Sequence, residues 1–198
     1  MVDKTVEVIS VAMTKENLSD YPKYQLPVGY RFVMYQPGFD QAWARIETAV
    51  GEFNTVSDAV AYFHNEFMPY AAQLPRRCIF IQSDQGQVVA TSSAWFGELF
   101  GSMLPRIHWV AVDPAHQGKG LGKALLTKTF QVFESLGESG QLYLTSRTWS
   151  WKAINIYLNF GFQPYLGEEP VNWNRTKVNF KQENELAWKI IFDKLNQE

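Results

Sequence analysis

The 198-residue sequence holds a single cysteine, Cys78. One thiol cannot close an intramolecular bridge, so a disulfide-stapled fold is excluded and a reducing compartment fits. Cys78 lies in the strand-like run "RCIFIQ" with no histidine-rich motif beside it, which favours a buried small hydrophobe over a nucleophile. Long apolar runs are also missing, since none nears the ~20 residues of a membrane span. The opening "MVDKTVEVISVAMTKENL" lacks the unbroken apolar segment of an export signal. A cytoplasmic protein with no membrane partner is the expectation. Charge of one sign is not in excess: 18 basic residues face 20 acidic ones, a net of -2. That leaves no broad footprint for nucleic acid. Internal repeats and low-complexity tracts are absent, and no metal site is expected.

What is present is a core. Hydrophobic residues make up 46% of the chain and aromatic ones 15%, enough for one globular domain with an appendage. The expected organisation is a single domain over 1–198: an irregular lead-in over 1–28, a core over 29–167, and a C-terminal extension over 168–198. Periodicity predicts a strand at "YRFVMY", then a helix through Phe39, Trp43, Ile46 and Val50. A second helix carries Val56, Val60, Phe63 and Phe67, with Thr55 or Ser57 as N-cap. Three antiparallel strands follow in "RCIFIQS", "QVVATSSAWF" and "RIHWVAV", the first two joined at "DQGQ". The next helix places Leu121, Leu125, Val132 and Leu136 on one face and ends at Gly137. A strand "QLYLTSRT", a helix "WKAINIYLNFG" and a strand "FQPYLG" complete the order β-α-α-β-β-β-α-β-α-β. The fold class is α/β of the α+β type, a mixed, mostly antiparallel sheet flanked by helices. In the extension, "ENELAWKIIFDKL" predicts an amphipathic helix through Trp188, Ile191 and Leu195, with Glu185 and Lys189 paired. A homodimer built through this helix stays open beside simple packing on the core.

The stretch "VAVDPAHQGKGLGKALL", Val110 to Leu126, sets Gly118, Gly120 and Gly122 where a strand meets a helix. Such a junction points backbone N–H groups and the positive end of the helix dipole at one spot, which suits an anion. Glycine there lets a phosphate approach the backbone. A P-loop is excluded by spacing: Gln117 stands at the required first glycine, and Ala124 follows Gly122-Lys123 where Ser or Thr is needed. The dinucleotide fingerprint fails at Lys123, where its third glycine belongs.

A third pattern fits. Gln117-Gly118-Lys119-Gly120-Leu121-Gly122 satisfies Gln/Arg-x-x-Gly-x-Gly/Ala, and downstream "AINIYLNFGFQPY" sets Ala153, Tyr157, Gly161 and Phe162 in a second register. On these two motifs, in this order, the chain resembles the GCN5-related N-acetyltransferase (GNAT) family over roughly Arg77 to Leu166. The resemblance implies direct transfer of an acetyl group from acetyl-CoA to an amine, with an oxyanion forming and CoA leaving as a thiol. The loop Gln117, Gly118, Lys119, Gly120, Leu121, Gly122 and Lys123 would then hold the pyrophosphate. The family's fourth strand, bulged and splayed, would present Val110, Ala111 and Val112 to the pantetheine arm, with the Val110 N–H facing the oxyanion. Ser150 stands where many members carry an asparagine, and its hydroxyl reaches less far.

Tyr157 takes the family's tyrosine position and is the expected acid for the leaving thiolate. A phenol of pKa about 10 protonates a thiolate of about 8.5 only if its own pKa is lowered or the transfer is concerted. Freeing an alkylamine of pKa about 10.4 at pH 7 costs about 4.6 kcal/mol, which makes a base useful. His108 is the expected base, placed by strand alternation on the face of Arg106 and Val110. The arylalkylamine acetyltransferases resemble this chain in that histidine. Glu66 and Glu98 are weaker alternatives, and His64 and His116 have less support. The segments that would line the acceptor site carry Phe63, Trp95, Phe96, Trp109, Trp149 and Trp151. If two of these faced the pocket beside Glu52, Glu66 or Glu98, an aromatic or hydrophobic primary amine would fit. The expected partner is a small-molecule amine or peptide. A non-catalytic acyl-CoA-binding or regulatory domain is the competing reading, and an unrelated nucleotide-phosphate binder is a third.

Overall fold

The computed structural model describes residues 2–173 and 179–197; residues 174–178 and 198 of the predicted extension, and residue 1, lie outside the described residues. Among the described residues the strands are β1 (Ser10–Lys15), β2 (Tyr30–Met34), β3 (Cys78–Ser83), β4 (Val88–Gly97), β5 (Leu104–Val112), β6 (Leu142–Arg147) and β7 (Gln163–Pro164). The helices are α1 (Phe39–Val50), α2 (Val56–Phe67), the single-turn α3 (Leu74–Arg77), α4 (Leu121–Ser135), α5 (Trp151–Asn159) and α6 (Phe180–Leu195). This is the expected mixed α/β architecture. The described residues gather into two compact units, and β4 and β5 each run from one into the other.

The first unit takes in Lys23–Trp95 and Ile107–Glu138, with strand order β2-β3-β4-β5. β2 pairs antiparallel with β3, and β3 with β4, as the alternation predicts. Register assigns the faces. Phe80 opposes Thr91 while Ile79 opposes Ser92, and successive side chains of a strand point to opposite sides. Phe80 meets Phe39 of α1 at a ring distance of 5.0 Å, whereas the Ser92 hydroxyl bonds Thr129 of α4 at 2.8 Å. α1 and α2 therefore cover one face and α4 the other. Phe63, Phe67, Phe80, Phe130 and Phe133 are fully buried between these layers. Thr55 caps α2 by accepting the Asp58 N–H at 3.1 Å, as the sequence predicts. Leu121, Leu125 and Val132 of α4 are buried, and Leu136 is half-buried beyond its end.

The second unit takes in Val2–Pro22, Phe96–Arg106 and the chain from Ser139 onward, with strand order β5-β6-β1-β7. Here the expected lead-in is corrected. Ser10–Lys15 is a strand, antiparallel to both β6 and β7. Its run Val11, Ala12, Met13 is buried on both faces, so it lacks the alternation that marks a half-exposed strand, and its partners lie far along the chain. β6 pairs parallel with β5 through Arg106 and Tyr143. The predicted C-terminal helix is α6, which buries Ala187, Trp188 and Ile191 and packs on β1 and α5. Its exposed ion pair joins Lys189 to Asp193 at 2.6 Å instead of to Glu185.

Candidate functional site

β5 carries the features on which a site depends. Trp109 has φ +50, a left-handed conformation inside a strand, and this breaks the two-residue alternation as a bulge does. Ile107 and His108 are both buried, as in a strand covered on both faces. Strand alternation keeps His108 on the face of the half-exposed Arg106, but the left-handed Trp109 stands between His108 and Val110 and interrupts the alternation expected to join those two. The left-handed region is uncommon for a bulky residue and costs on the order of 1–3 kcal/mol. Ring contacts compensate. The Trp109 indole packs against Trp43 at 5.2 Å, Tyr62 at 5.1 Å and Phe53 at 5.5 Å.

His108 is 6% exposed, and its Nε2 lies 2.9 Å from the Glu66 carboxylate Oε1. An ionised carboxylate only accepts, so Nε2 carries the proton and Nδ1 is the basic nitrogen. Phe67 supports the imidazole from α2 at 5.8 Å. Two separate candidates of the sequence are thus brought into one hydrogen-bonded pair.

Past β5, Asp113 starts the turn. Its carboxylate accepts the Ala115 N–H at 3.0 Å and pairs with Arg45 of α1 at 2.5 Å, while the Arg45 guanidinium also donates to the Val88 carbonyl. The Gln117 amide donates back to the Val112 carbonyl at 2.9 Å. Gly118 and Gly120 follow in left-handed conformations, φ +76 and +82. Neither has an atom within 4 Å of where a Cβ would stand, so backbone conformation, and not crowding, is what calls for glycine there. α4 then begins with no side-chain cap and no acidic residue in its first turn. The arrangement fits an anion such as a pyrophosphate, and Gln117, Gly118, Gly120, Leu121 and Gly122 are the residues that would hold it. Lys119 is exposed with its Nζ 3.3 Å from the Tyr30 hydroxyl. Lys123 is exposed above the Tyr24 ring at 5.3 Å. His116, expected in the loop, is half-buried and bonded through Nδ1 to Tyr30 at 3.0 Å.

Other candidates fall elsewhere. His64 is exposed, 3.2 Å from Asp40. Phe63 and Trp95 are core residues, whereas Trp109 belongs to the half-buried ring cluster. In the second unit, Tyr157 is 7% exposed on α5 with its ring 6.3 Å from Phe162. Ser150 precedes α5 without capping it. Trp151 donates to Asp3 at 3.1 Å, which assigns it to structure. Trp149 lies under the Arg147 guanidinium at 5.5 Å. Phe96 is half-buried and Glu98 exposed.

One group escapes the sequence reading. Glu47 of α1 is 1% exposed, and burial, reinforced by the nearby Glu52 charge, pushes its carboxyl well above the ordinary glutamate value. The signal was available, since Trp43, Ile46 and Val50 define an apolar stripe on which position 47 must also lie. Among the described residues no cluster of three or more His, Cys, Asp or Glu could hold a metal ion, and no helix is long and apolar enough to cross a membrane.

Comparison with known proteins adds to this geometry. Residues 75–164 match the model of the acetyltransferase (GNAT) domain. The spermine/spermidine N(1)-acetyltransferase of Bacillus subtilis is 37% identical over 71 residues, 36% of this chain and 45% of the relative. The N-alpha-acetyltransferase RimI of Mycobacterium tuberculosis is 37% identical over 57 residues, 29% of this chain and 34% of the relative. Both matches thus span less than half of the relatives' length. Among solved structures, a GCN5-related N-acetyltransferase from Sphaerobacter thermophilus superposes with a TM-score of 0.60 over 79% of this chain and 48% of that one, at 20% identity. That likeness is one of fold.

Proposed function

We propose that the chain, whose residues 75–164 match the acetyltransferase (GNAT) domain, acts as a GCN5-related N-acetyltransferase and moves an acetyl group from acetyl-CoA directly to a primary amine of a small molecule or peptide. The observation that carries this reading is the loop Gln117–Gly122, whose two left-handed glycines open onto the uncapped start of α4. Acetyl-CoA supplies an activated thioester and an anionic pyrophosphate. The chain supplies the rest. Backbone N–H groups of residues 117 to 122 hold the pyrophosphate, with Lys119 and Lys123 adding positive charge at the loop's mouth.

Val110, Ala111 and Val112 offer strand backbone to the pantetheine arm, and the Val110 N–H, next to the bulge at Trp109, donates to the thioester oxygen as charge develops there. The Nδ1 of His108 takes the amine proton, with Glu66 fixing the tautomer and stabilising the imidazolium that results. Tyr157, in the second unit, protonates the departing sulfur, a role supported by its register in "AINIYLNFGFQPY". Ser150 contributes one hydroxyl to the cofactor.

The test is release of CoA thiol from acetyl-CoA across a panel of amines and peptide N-termini. Turnover on at least one amine is expected. Tight CoA binding with no thiol released on any acceptor would overturn the catalytic reading in favour of a binding domain.

A further inference from the structure

In the second unit, the single turn Thr148–Ser150 and the helix α5 that follows it at Trp151 each begin without a side-chain cap. An uncapped start leaves backbone N–H groups unsatisfied and opens readily. The half-buried Ser150 lies at their junction. Support comes instead from residues 3–9, far away in sequence. Beyond the last ladder pair of β1 and β6, Ser10 with Arg147, the Thr148 N–H donates to the Ile9 carbonyl at 2.9 Å and the Asp3 N–H to the Trp149 carbonyl at 2.8 Å. A side chain fills the interval. The fully buried Thr148 hydroxyl accepts the Ile9 N–H at 3.0 Å and donates to the Glu7 carbonyl.

Asp3 holds the far end. Its Oδ2 accepts the indole N–H of Trp151, the first residue of α5 and 148 positions away, at 3.1 Å, and it pairs with Lys194 of α6 at 3.1 Å. Its Oδ1 accepts the Thr5 N–H at 3.0 Å and the Thr5 hydroxyl at 2.6 Å. The bonds from Thr5, then those from Trp151 and Lys194, hold the carboxyl well below the ordinary aspartate value. It is therefore ionised at neutral pH, and a carboxylate beside a helix start also suits the dipole. Val6 and Ile9 add apolar burial on the same segment, while the directional, charge-assisted bonds of Asp3 fix the geometry of the turn. Asp3, Glu7, Ile9 and Lys194 all lie outside the matched residues 75–164, yet the turn that they grip lies within them.

We propose that Asp3, through Trp151 and Lys194, is a positioning residue for the cofactor: it sets the turn that presents Ser150, so acetyl-CoA affinity depends on a side chain outside the matched domain. This rests on the acetyltransferase reading in taking acetyl-CoA as the ligand that Ser150 meets.

The full chain and its Asp3→Asn variant are titrated with acetyl-CoA by calorimetry, well below the melting transitions of both. Asparagine keeps the shape of the side chain, but its one carbonyl oxygen cannot serve Thr5 on one side and Trp151 on the other, and it brings no charge to Lys194. Binding is expected to weaken about five-fold or more. In a Ser150→Ala background the same substitution is expected to change affinity no further, because a residue that acts through Ser150 is non-additive with it. A general loss of structure would add instead. Amide hydrogen exchange over residues 149–152 is expected to quicken in Asp3→Asn while exchange in β6 stays as it was. Unaltered affinity, an equal loss with and without the Ser150 hydroxyl, or unaltered exchange in the turn would each overturn the assignment. The two readings fail separately. A parent chain that binds no acetyl-CoA, with a turn that opens faster in Asp3→Asn, removes the acetyltransferase and keeps Asp3 as the residue that sets the turn, whereas acetyl-CoA bound and turned over with an affinity that Asp3→Asn leaves unmoved does the reverse.

Discussion

Trp109 occupies a backbone conformation that few side chains adopt, and three neighbouring rings hold it there. Aromatic pairs contribute about 0.5–1.5 kcal/mol each beyond simple burial, so three contacts suffice to offset a strained residue. The left-handed residue stands between His108, whose Nε2 meets Glu66 at 2.9 Å, and the half-exposed Val110. None of this was visible in "RIHWVAV", where alternation is the only local signal and a bulge leaves no mark of composition. The candidate residues, by contrast, were legible as candidates. Tyr157 was named from its motif, His108 from its place on the strand and Glu66 as a weaker alternative base, and the hydrogen bond that joins His108 to Glu66 needed three dimensions. Tyr157→Phe is expected to lower kcat by about 10- to 1000-fold while acetyl-CoA affinity changes little. Steady-state kinetics with separate calorimetric titration checks this, and an unchanged kcat removes Tyr157 from the reaction.

At the scale of elements, the strand, loop and helix from Leu104 to Ser135 act as one device. Asp113 fixes the end of the strand through Arg45 and Ala115, Gln117 ties the loop back to Val112, and two left-handed glycines aim the chain into α4. This device was readable because glycine spacing reports backbone conformation directly. β1 was not, since three consecutive buried residues in a short strand look like any apolar triplet, and its partners are set by the tertiary fold. Gly120→Ala tests the device. The open space around position 120 rules out a clash, so the change acts through φ alone and is expected to weaken acetyl-CoA binding ten-fold or more, with about 1–2 kcal/mol lost in stability. Denaturant titration and calorimetry with acetyl-CoA measure both, and unaltered cofactor affinity would detach the loop from cofactor binding.

Over the whole molecule, the buried carboxyl of Glu47 links stability to pH. Its folded-state value lies well above the ordinary 4.5 through burial and the Glu52 charge, so between the two values the folded chain holds a proton that the unfolded chain has released. The contribution is therefore fully favourable below the ordinary value and is lost as pH rises towards the folded one. Glu47→Gln should remove this slope. Its Tm is expected to gain on that of the parent as pH increases from 4 to 8, and parallel melting curves across that range would show that Glu47 does not titrate differently on folding.

Cys78, the chain's one cysteine, is 1% exposed, takes a hydrogen bond from Ser93 at 3.3 Å, and has a thiol pushed up to about 12 by burial. Thiolate, not thiol, reacts with disulfide reagents and maleimides, so the folded protein is silent towards them near neutral pH. In a mixture of the chain, acetyl-CoA and an amine, sulfur titrated by such a reagent would then report CoA released by the proposed transfer. Thiol colorimetry can therefore test that transfer continuously at high protein concentration without a cysteine-free variant.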